Sequence, residues 1–291
     1  DIHFLGEEHV EVICKTILAR KPALVIIDSI QTVASSGAEG EPGSITQIKA
    51  ATVRFLETAK QSGIPIIIIG HVTKGGELGG PKTLEHLVDT VLYLEGDHTH
   101  QFRLLRSAKN RFGATNETGV FTMEHQGLQS VTDPSAVFCS ERSLQSGSVM
   151  TAAIEGSRVL LLEVQALVTP TTFGFPQRKC SGYDLNRLAM LCAVAQRHLD
   201  FAAERYDMHV NIAGGLRISE PAMDLAVLLA LLSSQSNVIV DEHIIVFGEV
   251  GLGGEVRSVS RMKDRITEAK RFGLTNVLSP KTVTTLRDAI R

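Results

Sequence analysis

The chain has 291 residues, 43% of them apolar and 21% charged, with a formal net charge of −3. That suits one large domain or two ordinary ones with a proper hydrophobic core. It excludes a global basic field, so any nucleic-acid contact must rest on a local patch.

Leu24-Val25-Ile26-Ile27 is a short, wholly apolar run ending in Asp28, the pattern of a strand buried on both faces. Ser44 to Gly63 carries Ile45, Ile48, Phe55, Leu56 and Ala59 at helical spacing, with Gly63 as the stop. Ile64 to Ile69 reads as a second buried strand, and strand, helix, strand in that order predicts a parallel α/β sheet. Val91–Leu94, Phe102–Arg106 and Val120–Met123 read as further strands. Composition shifts at 132–148, a Ser-rich stretch without a period, which predicts a linker between a first domain at 1–131 and a second at 149–291. The second domain begins with two strands joined by a Gly-Ser turn. Asp184 caps a helix to Leu199, "DMHVNIAG" reads as a strand, and Glu220 to Leu232 is a very apolar helix. "IIVFGEVGLGGEVRSV" predicts a hairpin turning at Gly251 to Gly254, followed by a helix from Lys263 to Phe272. The mixture is α+β.

Three stretches of the first domain could carry chemistry. Asp28 closes a strand where open α/β sheets bind ligands; it either orients magnesium for a nucleotide or caps the next helix, and Ser29 and Gln31 are helix-start or turn residues. "GHVTKGGELGGPKTLEHLVD", 70–89, follows an isoleucine run; it is either a solvated connection or a substrate contact, and His71 at its root can hydrogen-bond a phosphate or a nearby backbone group. "LLRSAKNRFG", 104–113, gathers Arg106, Lys109 and Arg111 beside an aromatic, suited to phosphate or to a solvated basic turn. His98 and His100 follow Glu95 and Asp97, weak grounds for a metal. No Gly-x-x-x-x-Gly-Lys-Ser/Thr string occurs anywhere in the chain. The sequence opens at Asp1 without Met, which reads as a fragment whose phosphate loop would lie upstream. Cys14, Cys139, Cys180 and Cys192 form no Cys-x-x-Cys pair, consistent with a reducing cytoplasm and no structural zinc here, and no run of about 18 apolar residues reads as a membrane span.

"LVIIDSIQTV", the 70–89 stretch and "KNRFG", in that order, together with "DLNRLAMLCAVAQRH" and "IVFGEVGLGGEVRSV", resemble the RadA (Sms) family of bacterial RecA-like DNA repair and recombination proteins. The resemblance spans nearly the whole chain. It implies a RecA-like ATPase core, here N-terminally incomplete, then a domain similar to Lon peptidase and ribosomal protein S5. It further implies an ATP- and Mg2+-dependent motor on single-stranded DNA, acting as a homo-hexamer in branch migration beside a RecA-type recombinase. The family's Zn2+ finger is absent from this chain. On this resemblance Asp28 looks like the magnesium-orienting aspartate, with Ser29 and Thr73 near the nucleotide. His71 to Lys74 looks like the γ-phosphate sensor. Lys74, Gly75, Gly76, Gly79, Gly80 and Lys82 look like the DNA-binding loop, and Lys109 and Arg111 look like cations that reach a neighbour's ATP or DNA. The fragment alone is expected to be inactive.

"ISEPAMDLAVLLALLSS" resembles the peptidase segment of Lon, with Ala222 at the nucleophile position, Ser219 three residues early, and Lys263 at the position of the catalytic lysine. A lysine base without a hydroxyl cannot run acyl transfer. The domain therefore reads as a non-catalytic peptidase relative, whose family members use it for ring assembly and double-stranded DNA contact. Arg178, Lys179, Arg187 and Arg197 are its candidate local charge, with helix-surface solvation as the alternative.

Overall fold

The computed structural model describes residues 1–71, 84–96, 102–140, 142, 144–172 and 174–290. The chain forms two compact units, residues 1–92 with 108–114, and residues 93–107 with 115–291. This division differs from the expected break at 132–148.

The first unit is built on α1 (Val10–Arg20), β1 (Val25–Asp28), α2 (Ile45–Ser62) and β2 (Ile66–Ile69). The Ser44 hydroxyl caps α2 by accepting the Gln47 N–H at 3.5 Å, and Gly63, at φ 73°, ends it in the left-handed conformation that glycine adopts without strain. Gln47 is buried. Its Oε1 accepts the Ser35 N–H at 2.7 Å and its Nε2 donates to the Ala38 carbonyl at 2.7 Å, which pins the connection between β1 and α2. β1 and β2 pair in parallel, with Asp28 opposite Ile69.

The pleat sends alternate side chains to opposite faces. Ile27 joins Val10, Ile13, Ile17, Ile48 and Phe55 in the core, with Val25, Ile66 and Ile68 packed against it. Ile26 and Ile67 lie on the other face, 59% and 50% exposed. The expectation of strands buried on both faces is therefore corrected: among the described residues, only one face of this pair is covered.

A four-stranded sheet follows: β3 (Thr90–Glu95), β4 (Phe102–Asn110), β5 (Thr118–Glu124) and β6 (Gly127–Ser130), in that spatial order. β4/β5 and β5/β6 are antiparallel, in contrast to the parallel pair β1 and β2 and to the parallel arrangement predicted for the first half. The stretch expected as a linker contains α3 (Pro134–Ser140). Phe138 in it is buried and meets the Phe102 ring edge-on at 4.8 Å, so this segment is core material.

The rest of the second unit comprises β7 (Ser148–Glu155), β8 (Arg158–Pro170), β9 (Arg178–Ser181), α4 (Leu185–Leu199), β10 (Tyr206–Ile212), α5 (Asp224–Ser236), β11 (Ile244–Val246), β12 (Glu249–Val250), β13 (Val256–Arg257), α6 (Met262–Arg271), β14 (Asn276–Leu278) and α7 (Leu286–Ala289). The main sheet runs β7-β8-β10-β9, with β9 parallel to β10 and the other pairs antiparallel. Asp184 caps α4 through the Arg187 N–H at 2.8 Å, as expected. α5 is apolar nearly all round, and Leu225, Ala226, Val227 and Leu228 are buried together in the main core. The predicted long hairpin is shorter than expected. Only β12 and β13 pair across the glycine turn, while β11 pairs in parallel with β14.

Candidate active site

The carboxyl end of β1 carries Asp28, exposed, and the Asp28–Ser29 peptide bond is cis. Beyond it a single 3-10 turn, Ile30–Thr32, is anchored from below by buried Ile30 and Val33. The Thr32 hydroxyl donates to the Ser29 carbonyl at 2.9 Å and closes the turn. Gln31 points the other way, and its Nε2 donates to the backbone carbonyl of His71 at 3.3 Å. Asp28, Ser29, Gln31 and His71 are thus gathered at the ends of two parallel strands. Gln31 is the member that sequence reasoning reads only as a helix-start or turn residue.

Magnesium binds through one or two carboxylates and keeps several waters, with substrate phosphates completing its shell. A single exposed Asp28 fits that mode. The described residues contain no group of three or more His, Cys, Asp or Glu able to form an all-protein metal cage.

The second cluster lies at the end of β4 and in the turn that follows it. The Lys109 ammonium donates to the Glu85 carbonyl at 2.6 Å and the His86 carbonyl at 3.4 Å. Asn110 shapes the turn, its Oδ1 accepting the Phe112 N–H at 3.1 Å. Arg111 pairs with the Asp89 carboxylate at 2.9 Å and donates its own N–H to the Asp89 carbonyl at 3.0 Å. Phe112 stands at the tip, 83% exposed. Lys109 and Arg111 are therefore tied to the 84–89 segment.

Arg106 departs from the expected basic cluster. Its guanidinium ion-pairs with Glu95 and, at 2.6 Å, with Glu155, and it donates to the Arg217 carbonyl at 3.3 Å. Burial pushes the Glu155 carboxyl up while Arg106 beside it pulls it down. That arginine's charge is spent inside the protein. Thr73, Lys74, Gly75, Gly76, Gly79, Gly80 and Lys82 lie outside the described residues, as do His98 and His100.

In the peptidase-like stretch Ala222 is buried, while Ser219 and Lys263 are exposed. The interior is filled by other charges. Fully buried Arg265 forms a two-pronged ion pair with Glu220, donates to the carbonyls of Ala152 and, at 2.9 Å, Ser260, and lies 5.8 Å from the Phe247 ring centroid. Glu220 also accepts the Ile154 N–H at 2.6 Å. Asp224, equally buried, accepts from the Tyr183 hydroxyl at 2.6 Å, Arg187 Nε at 3.0 Å and the Val250 N–H at 3.0 Å. Burial first, and then the Asp224 carboxylate, push the Tyr183 hydroxyl far above its ordinary range.

Glu220 and Asp224, which flank Ala222 in sequence, are thus both held in buried ion pairs. Arg187 and Arg178 are corrected as surface cations. Arg187 serves Asp224, and Arg178 donates to the Ala203 and Pro176 carbonyls at 2.9 and 3.2 Å. Lys179 and Arg197 remain exposed. Arg265 had a signal in the sequence: it falls on the apolar stripe of α6 with Met262, Ile266 and Ala269.

A family model described as "Subunit ChlI of Mg-chelatase" matches residues 187–283. Across almost the whole chain there are curated relatives. The "DNA repair protein RadA" of Bacillus subtilis (strain 168) is 45% identical over 280 residues, covering 96% of this chain and 61% of that protein. Its namesake in Aquifex aeolicus (strain VF5) is 44% identical over 277 residues, 95% of this chain and 62% of the relative. The Synechocystis namesake is 43% identical over 290 residues, 99% and 57%. The chain spans about three-fifths of the length of these curated relatives.

Proposed function

The chain belongs to the RadA family over the span that it covers, and we propose that the protein is a DNA-dependent ATPase of recombinational DNA repair that promotes branch migration of recombination intermediates on single-stranded DNA. The observation that carries this reading is the convergence of Asp28, Ser29 and His71 at the carboxyl ends of a parallel strand pair, where α/β sheets bind nucleotides. In this reading the first unit is part of a RecA-like core and the 149–291 region has a Lon-peptidase and ribosomal S5-like fold.

Bound Mg2+ supplies charge neutralisation at the β- and γ-phosphates of ATP. Asp28 orients the ion through its water shell, Ser29 and Thr73 line the nucleotide, and His71 reads the γ-phosphate from the end of β2. Lys109 and Arg111 serve a neighbouring subunit's nucleotide, which requires a homo-hexameric ring or another closed assembly. Their present partners are carbonyl oxygens and one exposed carboxylate, contacts that can be exchanged for phosphate. Lys74, Gly75, Gly76, Gly79, Gly80 and Lys82 follow the DNA backbone, and a RecA-type recombinase supplies the branched substrate. The phosphate cradle that this chemistry needs is not encoded in these 291 residues. The span by itself is therefore proposed to be inactive, and the tests below use the full-length protein.

A peptidase reading is opposed by Ala222 at the nucleophile position and by the exposed position of Lys263. Branch migration of a three-stranded intermediate tests the motor. Full-length protein with ATP should extend heteroduplex, and Lys109→Ala should stop it. Undiminished extension by Lys109→Ala would remove the role assigned to that lysine, and no extension by the wild type would remove the motor.

A further inference from the structure

Gln31 occupies a position that neither strand explains. Its backbone belongs to the turn held down by Ile30 and Val33, and a Cβ placed on Gly43 would meet its carbonyl oxygen at 3.2 Å, so the turn is fixed from two sides. Its side chain leaves the core and uses one amide hydrogen on the His71 carbonyl at 3.3 Å. The other end of the amide, Oε1, is buried and has no hydrogen-bond partner among the described residues. A buried amide oxygen without a donor is uncommon in folded proteins, and such groups concentrate where a partner arrives with function. The Gln31 contact is also a hydrogen bond that joins the segment leaving Asp28 to the residue that leaves β2.

We propose that Gln31 is a positioning residue: it fixes the His71 backbone relative to Asp28 and offers Oε1 to a donor that enters with the nucleotide. It does not touch the reacting phosphate itself. It carries the state of the Asp28 end to His71, so turnover depends on it through His71. This inference rests on the ATPase reading above.

The consequence is a defined pattern in full-length protein. Gln31→Met keeps length and volume but removes both polar ends. It should lower kcat for ATP in the presence of single-stranded DNA by roughly 10-fold, because small misplacements of a sensing group are felt mainly in turnover. KM for ATP should stay within about twofold, since Gln31 acts on turnover through His71 and does not hold the phosphates of the nucleotide. Gln31→Glu retains an acceptor but cannot donate to the His71 carbonyl, and it should lose turnover similarly. The decisive measurement is a double-mutant cycle with His71→Ala. If Gln31 acts through His71, adding Gln31→Met to His71→Ala changes kcat by less than about twofold.

Multiplicative losses in the double variant, or wild-type kcat in both Gln31 variants, would overturn the inference while leaving the ATPase reading intact. Absence of ATP hydrolysis in the wild-type protein would overturn the ATPase reading, and this inference with it. If Gln31→Met does not fold, the same cycle is run with Gln31→Glu and judged by the same outcomes.

Discussion

Arg265 gives the sharpest stability prediction, because its side chain is fully buried and each of its contacts is named. Replacing it by Met keeps much of the volume and removes the charge. The Glu220 carboxylate, only 18% exposed, then loses its counter-ion, and the carbonyls of Ala152 and Ser260 lose a donor. Breaking one side of a buried ion pair costs about 3–5 kcal/mol. The residual exposure of Glu220 lets water relieve part of that, so about 3 kcal/mol is expected. For a unit of this size that corresponds to a fall of roughly 6–12 °C in the thermal midpoint.

The check is a thermal melt followed by circular dichroism, paired with a urea titration in which the slope stays constant and the midpoint moves. Arg265→Met with Glu220→Gln should recover part of the loss, since no bare carboxylate remains, and the coupling should be about 2 kcal/mol. Lys263→Ala, two positions away and exposed, should leave the midpoint unchanged. An Arg265→Met midpoint within about 1 °C of wild type, or a larger loss from Lys263→Ala, would refute the reasoning that Arg265 is the structural charge here.

Ala222→Ser should produce no hydrolysis of fluorogenic peptides or casein, because Lys263 is exposed and Arg265 with Glu220 fills the interior; measurable turnover in the variant would contradict this. Tyr183 should govern alkaline stability. Burial and the Asp224 carboxylate hold its hydroxyl protonated in the folded chain, while the unfolded tyrosine ionises near pH 10. The folded pKa is raised, so its contribution is complete below about pH 10 and is lost as pH rises above that value. Urea midpoints between pH 9 and 11 should fall more steeply for wild type than for Tyr183→Phe, and parallel curves would refute the assignment. Phe112→Ala should leave the melting curve unchanged, since the ring stands in solvent, and a drop of several degrees would show that it packs where the structure leaves it exposed.

α2 and α4 were legible because capping and periodicity agreed: Ser44 and Gly63 bound α2, and Asp184 opens α4. β1 and β2 were legible as strands but not in their burial. An isoleucine run tells how apolar a strand is, not how many layers cover it, and the alternation that exposes Ile26 and Ile67 leaves no mark in a uniform sequence. The 132–148 stretch misled because serines dominate its composition, while Phe138, a single aromatic, anchors it. β9 went unseen because four residues of mixed polarity carry too little pattern, and β11 was assigned to the wrong partner because its parallel mate, β14, lies about thirty residues away.

At the candidate site the motif spacing placed Asp28 at its strand end. Gln31 was hidden because its role depends on a contact with a backbone atom forty residues on, which no local pattern encodes. Arg106 read as a free cation because its partners, Glu95 and Glu155, are recruited by tertiary structure.

The central claim is that Asp28 marks the nucleotide end of a DNA-stimulated ATPase. The direct measurement is steady-state ATP hydrolysis by full-length protein, wild type and Asp28→Asn, with and without single-stranded DNA at saturating Mg2+. The account predicts DNA-stimulated hydrolysis in the wild type and a fall of roughly two orders of magnitude in Asp28→Asn, the scale on which loss of an electrostatic catalytic group is felt. Equal hydrolysis by the two proteins, or a wild type indifferent to DNA, would contradict it.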